Sequence, residues 1–265
     1  MLEPESFSTI LIKCGRTDLR SFVDNLKRLS YNLEIKSVAD DYREINVFYL
    51  NQSSYDRQIQ DLTDNGLYFQ PLSRVKKFDG FSNKHEVVDK IGENTSVYGA
   101  ISKDKNRLKE FKEYFNSGDD YKMGLLLGYP ECCCRGYLDY KKKFVDPVYE
   151  IAQQSKNYGS PIQLENIPWS VQVHMRYFGF KVIPFFPCDF TCDEAKSFAD
   201  RWYNLMSSID SKTTNDLKTL MLKPSTWSLY NCQVLVNRPP SDADFMGYAV
   251  SSYFPQKREV DFYAV

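Results

Sequence analysis

The chain has 265 residues, a length that suits one large domain or two modest ones, and its apolar fraction of 42% is enough for a substantial core. Its 34 Lys and Arg balance 35 Asp and Glu, which excludes the strongly basic field that general nucleic-acid binding needs. Apolar runs such as Ile10-Leu11-Ile12 are far too short to span a bilayer. Residues 1–5 are acidic and show no secretory signal, so we expect a cytoplasmic protein without a membrane partner.

The first 77 residues predict a small α+β domain. Alternating or continuous apolar runs predict the strands, and apolar residues at helical spacing after a capping residue predict the helices. The predicted strands cover residues 8–14, 33–38, 44–50 and 67–72, and the predicted helices cover residues 17–29 and 53–65. This βαββαβ order is the split βαβ arrangement of a ferredoxin-like sandwich. Since that fold carries no activity of its own, a regulatory or interaction domain is the favoured interpretation of residues 1–77.

Residues 78–265 predict a larger mixed α/β domain, so the fold class of the whole chain is α+β. A polar stretch over residues 73–90 is typical of a linker or a sheet edge. Further predicted elements are strands over residues 95–102 and 180–186, helices over residues 106–115 and 148–156, and β-rich runs over residues 227–236 and 246–254. The residues 118–120 (GDD) should end the helix predicted over residues 106–115.

Five of the seven cysteines fall in two short runs, residues 129–134 (YPECCC) and residues 187–192 (PCDFTC). Each run predicts the first turn of a helix: Pro130 and Glu131 suit the first turn of one, and Asp189 or Thr191 suits the N-cap of the other. A helix N-terminus carries partial positive charge, which lowers the pKa of a thiol and favours the thiolate. Two such turns brought together would form a thiolate-rich site.

The composition restricts what this site can be. An odd number of cysteines, three of them adjacent, argues against a disulfide framework in the cytoplasm. Only two histidines occur, so a three-histidine metal site is excluded. Cys188 and Cys192 are four apart and face the same way if the second helix starts at or before Asp189. Successive residues of a helix diverge by about 100°, so only one or two of the three adjacent cysteines would join them.

Three or four thiolates suit a tetrahedral zinc ion or an iron–sulfur cluster. We therefore predict a metal-dependent enzyme that holds its metal on Cys132, Cys133, Cys188 and Cys192 and acts on a small-molecule substrate. An iron–sulfur cluster is favoured over zinc, because helix N-termini suit an anionic cluster. The spacing matches neither the paired CxxC of a zinc ribbon nor the CxxCxxC run of a bacterial ferredoxin.

Other interpretations of the same residues stay open. In a metal-free transferase or hydrolase, Cys133 or Cys188 would be the nucleophile and His174 its base. Asp189, Glu131 or Asp193 would orient the base, and Arg135 could hold an anionic substrate. In a non-enzymatic interaction module, zinc would only staple the fold. The clustered thiols could also undergo redox cycling through a disulfide. Alternatively, these cysteines could be small buried core residues, as we expect for Cys14 and Cys232.

The residues 127–133 (LGYPECC), followed by residues 186–192 (FPCDFTC), resemble the signature of a prokaryotic family, domain-of-unknown-function family 483. The resemblance covers residues 95–236 and leaves the N-terminal part outside. It implies that Cys132, Cys133, Cys188 and Cys192 are the family positions, and it implies no established activity. Two residues depart from the pattern: Phe186 stands where a histidine or another polar residue is often found, and Cys134 is an addition.

Overall fold

The structure is a computed structural model that describes residues 18–77, 85–89, 95–143, 162–163, 168–173, 176, 180–222, 225–228, 233–236 and 247–249. Over these residues the protein is α+β, with seven α-helices, and the chain divides into two compact units, residues 1–131 and residues 132–265. None of the described helices is both long enough and apolar enough to cross a membrane.

Unit 1 contains a four-stranded antiparallel sheet in the order β1-β4-β2-β3. Its elements are α1 (Asp18–Ala39), β1 (Ile45–Asn51), a 3₁₀ turn (Gln52–Ser54), α2 (Tyr55–Asp64), β2 (Tyr68–Lys77), β3 (His85–Val87), β4 (Thr95–Ser102), α3 (Lys105–Ser117) and α4 (Asp120–Leu126). β1 and β2 both run antiparallel to β4, so they are parallel to each other, and α2 connects them around β4. Because β4 lies between β1 and β2, the predicted domain boundary after residue 77 falls inside this sheet.

The sheet of unit 1 is covered on both faces. Phe48 and Leu50 of β1 pack with residues of α1 and α2 on one face, and Ile45 of β1 packs with Leu108 and Phe111 of α3 on the other. Alternate residues of a strand point to opposite faces, so a strand between two helical layers must be apolar at nearly every position. This explains why the sequence INVFYL of β1 is almost continuously apolar.

The ferredoxin-like arrangement predicted for residues 1–77 is not confirmed, because the strand predicted over residues 33–38 is wrong. These residues are the C-terminal part of α1, where Leu33 and Val38 are buried. They continue the helical spacing of Val23, Leu26 and Leu29, and no glycine or proline interrupts the segment. Four residues of alternation cannot outweigh a helical pattern of about twenty residues. The strand predicted over residues 8–14 lies outside the described residues.

Most other predictions for unit 1 are confirmed. The strand at residues 95–102 has the predicted bounds, and the predicted helix over residues 106–115 is α3, capped by Asp104. α2 ends at Asp64, and Gly66 then takes a positive φ of 68°, the left-handed conformation expected after a helix. Most described residues of the polar stretch 73–90 are strand, since they form the end of β2 and the edge strand β3.

Over its described residues, unit 2 contains three α-helices and a second antiparallel sheet in the order β5-β6-β7-β8. Its elements are α5 (Glu131–Lys143), which starts on the last residue of unit 1, β5 (Ile162–Gln163), a 3₁₀ turn (Trp169–Val171), α6 (Asp193–Ile209), α7 (Ser211–Met221), β6 (Ser225–Ser228), β7 (Gln233–Val236) and β8 (Gly247–Ala249). The sequence analysis missed α7, whose signal is Asp210, an N-cap that accepts a hydrogen bond from the Thr213 amide at 3.0 Å.

The strand predicted over residues 180–186 is also wrong, although the segment is buried as expected. Phe180, Val182 and Ile183 are at most 3% exposed, but the chain here forms bends rather than a strand. Pro184 and Pro187 have no amide hydrogen to donate to a neighbouring strand, which disfavours a central sheet position. The helix predicted over residues 148–156, together with Cys14 and Cys232, lies outside the described residues.

Candidate metal centre

The first cysteine run begins a helix, as predicted. α5 starts at Glu131 and carries Cys132, Cys133 and Cys134 in its first turn. Their exposure differs because successive positions of a helix turn to different sides: Cys132 is exposed, whereas Cys133 and Cys134 are buried. The helix therefore presents a different environment to each of the three thiols.

The second run forms a turn followed by a helix that starts later than predicted. The carboxylate of Asp189 accepts hydrogen bonds from the amide of Thr191 at 2.5 Å and from its hydroxyl at 2.6 Å. The Cys192 amide then donates to the Asp189 carbonyl at 3.4 Å, and α6 begins at Asp193. The predicted N-cap, Asp189 or Thr191, is wrong: the N-cap is Cys192, whose Sγ accepts from the Ala195 amide at 3.4 Å. The N-terminus of α6 therefore fixes the position of the Cys192 sulfur directly.

The two runs bring four sulfur atoms together. The Sγ atoms of Cys132, Cys133, Cys188 and Cys192 all lie within 4.8 Å of one another. The distance from the Cys192 Sγ is 3.7 Å to Cys132 and 3.8 Å to Cys133, and Cys132 and Cys133 are 3.9 Å apart. Cys134 is buried but does not belong to this group. These are the four cysteines that the sequence analysis selected, and together they could hold a metal ion.

The pKa values of Cys132, Cys133 and Cys188 are raised, contrary to the expectation from the helix N-termini. Burial is the main cause that raises the pKa of Cys132 and Cys133, and it raises the pKa of Cys188 to about 12. The neighbouring sulfurs raise the pKa of Cys133 and Cys188 further, while the backbone amide of Cys188 partly offsets the shift at Cys133. At Cys132, the sulfur of Cys192 raises the pKa, and hydrogen bonds with Cys133 and Cys188 lower it. Crowded, desolvated thiols therefore keep their protons unless a cation compensates the negative charge of the thiolates.

Close packing holds α5 against the segment that carries Cys188. A Cβ atom on Gly136 would lie 3.0 Å from the Cβ of Cys188 and 3.2 Å from its Cα, closer than ordinary contact. The hydroxyl of Tyr140, which is buried, donates to the Cys188 carbonyl at 2.5 Å. The ring of Tyr137 stacks on that of Phe186, with 6.2 Å between centroids. Sequence reasoning missed Gly136 and Tyr140, since only their spacing of four on one helix face relates them.

Of the residues predicted for a metal-free enzyme, the two nucleophile candidates, Cys133 and Cys188, both belong to the four-cysteine cluster. His174 lies outside the described residues. Glu131 is exposed and accepts a hydrogen bond from the Tyr121 hydroxyl at 2.8 Å, and Arg135 is exposed on α5. The nucleophile interpretation therefore stays a prediction, with no geometry of the base to support it.

The fold and the site together define an α+β protein with a four-cysteine cluster that could hold a metal ion. Comparisons with models of known families, with curated proteins and with solved structures found no match to this chain. The resemblance to family 483 therefore stays a prediction from the two cysteine runs.

Proposed function

We propose that unit 2 is a non-enzymatic, zinc-stapled module in which Cys132, Cys133, Cys188 and Cys192 hold one zinc ion as a closed structural centre. The observation that carries this proposal is the mutual distance of the four sulfurs, all of which lie within 4.8 Å of one another. Three of these distances are 3.7, 3.8 and 3.9 Å.

A single tetrahedral ion accounts for these distances. Zinc–thiolate bonds are about 2.3 Å long, so sulfurs at the corners of a regular tetrahedron are about 3.8 Å apart. An iron–sulfur cluster places several iron and sulfide atoms between its cysteines, and cysteines on different irons are then farther apart than the edge of one tetrahedron. The distances thus support one ion, and they favour zinc over the iron–sulfur cluster that the sequence analysis preferred.

The number of thiolates supports a structural rather than a catalytic role. A catalytic zinc keeps one position open for water or substrate, whereas a structural zinc is closed by four protein ligands. Here four thiolates fill all four positions. The Ala195 amide at the Cys192 sulfur and the Cys188 amide at the Cys133 sulfur would supply hydrogen bonds to the bound thiolates. Zinc would therefore join the start of α5 to the turn that precedes α6.

Metal analysis of protein purified without oxygen tests the proposal. We expect one zinc per chain in the wild type and in Cys134→Ala, a control that removes a buried cysteine outside the cluster. We expect Cys188→Ala to lose the zinc, and a chelator to unfold unit 2, because binding free energy of a structural zinc, about 10–16 kcal/mol in small domains, is folding free energy.

Three outcomes would contradict the proposal. Brown protein that contains iron and acid-labile sulfide would indicate a cluster, and iron without sulfide would indicate a single iron in the same ligands. Protein without metal in which one thiol reacts rapidly with iodoacetamide would favour the cysteine nucleophile instead.

A further inference from the structure

We infer that Cys132 is an oxidation site of this centre, where a peroxide forms a Cys132–Cys192 disulfide and releases the zinc. The inference rests on the proposed zinc centre and adds a modification to it. It starts from the difference in exposure among the four cysteine residues: Cys132 is exposed and Cys133 is 2% exposed, while Cys188 and Cys192 lie between these extremes. A small oxidant in water therefore meets the sulfur of Cys132 first.

Hydrogen bonding also distinguishes Cys132 from Cys133 and Cys192. The Cys192 sulfur accepts from the Ala195 amide, and the Cys133 sulfur accepts from the Cys188 amide. Within the described part of the chain, the only partners of the Cys132 sulfur are the other three cysteines. Amide donors withdraw electron density from a metal-bound thiolate. Cys132 and Cys188 are therefore the two cysteines whose sulfurs keep their full nucleophilicity, and Cys132 is the more exposed of the two.

Cys192 is the natural partner for the oxidised Cys132. The two sulfurs are 3.7 Å apart, which is shorter than the distance from Cys132 to Cys133, and Cys192 is itself partly accessible. Cys133 is adjacent in sequence to Cys132, and neighbouring cysteines can form a disulfide only with strain. Both observations favour Cys192 over Cys133 as the partner of Cys132.

The reaction balances with hydrogen peroxide as the oxidant. The Cys132 thiolate attacks one peroxide oxygen, the O–O bond breaks, and hydroxide leaves, which gives a sulfenic acid. The Cys192 thiolate then attacks that sulfur, forms the S–S bond and expels a second hydroxide. Two thiolates lose two electrons, the peroxide gains them, and two protons from solvent convert the hydroxides to water. Zinc is left with Cys133 and Cys188 alone, and two ligands do not retain it.

The test measures zinc release and disulfide formation in the full chain loaded with zinc. After the zinc content is measured, hydrogen peroxide is added and free zinc is followed with a colorimetric chelator, while the disulfides are mapped by mass spectrometry of non-reduced peptides. We expect one zinc released per Cys132–Cys192 disulfide formed, and rebinding after addition of dithiothreitol and zinc. Cys134, buried on the same helix turn, serves as an internal control and should stay reduced.

The outcomes separate this inference from the zinc proposal. Protein that contains no metal before peroxide is added contradicts both. Zinc-loaded protein that keeps its metal in peroxide, or that releases it while Cys132 is linked to Cys133 or Cys188, overturns only the oxidation site. The Cys134→Ala variant should release zinc at the wild-type rate, and slower release from this variant would place the reactive thiol at Cys134 instead.

Discussion

Substituting Gly136 with alanine should weaken zinc binding without removing any ligand. The new methyl group would lie 3.0 Å from the Cβ of Cys188 and 3.2 Å from its Cα, whereas ordinary contact begins near 3.4 Å. Cys188 must therefore move by a few tenths of an ångström. In the zinc-loaded protein it cannot move freely, because the ion would hold its sulfur and Tyr140 holds its carbonyl.

The size of the effect follows from two opposing terms. Alanine in place of glycine stabilises a helix by about 1 kcal/mol, and overpacking of this kind costs about 1–3 kcal/mol. Without metal, Cys188 can yield, so the two terms nearly cancel and the free energy of unfolding changes little. With zinc bound, the full cost of the clash remains. We expect a zinc affinity about 10-fold lower than in the wild type, which corresponds to about 1.4 kcal/mol.

Competition with a calibrated zinc chelator measures this affinity. Urea unfolding measures the free energy of unfolding of the metal-free protein, which should change little. The matched control is Asp139→Ala, at an exposed position of α5. The Asp139 carboxylate forms a salt bridge with Lys142 of the same helix. It should leave zinc affinity unchanged. If Gly136→Ala bound zinc within about twofold of the wild type, the proposed constraint on Cys188 would be wrong.

Two further predictions concern tyrosine hydroxyls. Tyr140→Phe removes the hydroxyl that donates to the Cys188 carbonyl, and it should lower the free energy of unfolding of the zinc-loaded protein in urea by about 1–3 kcal/mol. The control Tyr203→Phe removes a more exposed hydroxyl bonded to Asn215 and should cost less. Equal losses in the two variants would argue against a special role of Tyr140. Burial raises the pKa of Tyr49 from 10.0 to about 12, so the folded state favours the neutral phenol. The stability that this shift contributes is fully present below pH 10 and should be lost as the pH rises towards 12. Tyr49→Phe should flatten this loss in urea unfolding at stepped pH, and an unchanged slope would assign the loss to other groups.

How far the fold could be predicted depended on the length of each pattern. The strand at residues 95–102 and the helices around it have long periodic patterns and clear caps, and these predictions are confirmed. Residues 33–38 alternate over only a few positions, and the longer helical spacing of α1 overrides them. The position of β4 between β1 and β2 comes from pairing at long range, which no local pattern encodes.

The sequence predicted which residues form the candidate site, but not the direction in which their pKa values shift. The two cysteine runs selected Cys132, Cys133, Cys188 and Cys192, and the structure brings these four together. The helix N-termini suggested lowered thiol pKa values, but burial and crowding of the sulfurs raise them, since neither the depth of the site nor the sulfur distances can be read from spacing. Gly136 was missed because its importance depends on how closely another segment approaches it.

The ligand candidates come from two places far apart in the chain, since Cys133 and Cys192 are 59 positions apart. An ion bound there closes a large ring of polypeptide, and the entropic cost of closure grows only logarithmically with ring size. Doubling the ring would cost about 0.6 kcal/mol more. The length of the stretch between the two cysteine runs should therefore have little direct effect on metal affinity, as long as the residues that contact Cys188, such as Gly136 and Tyr140, are kept.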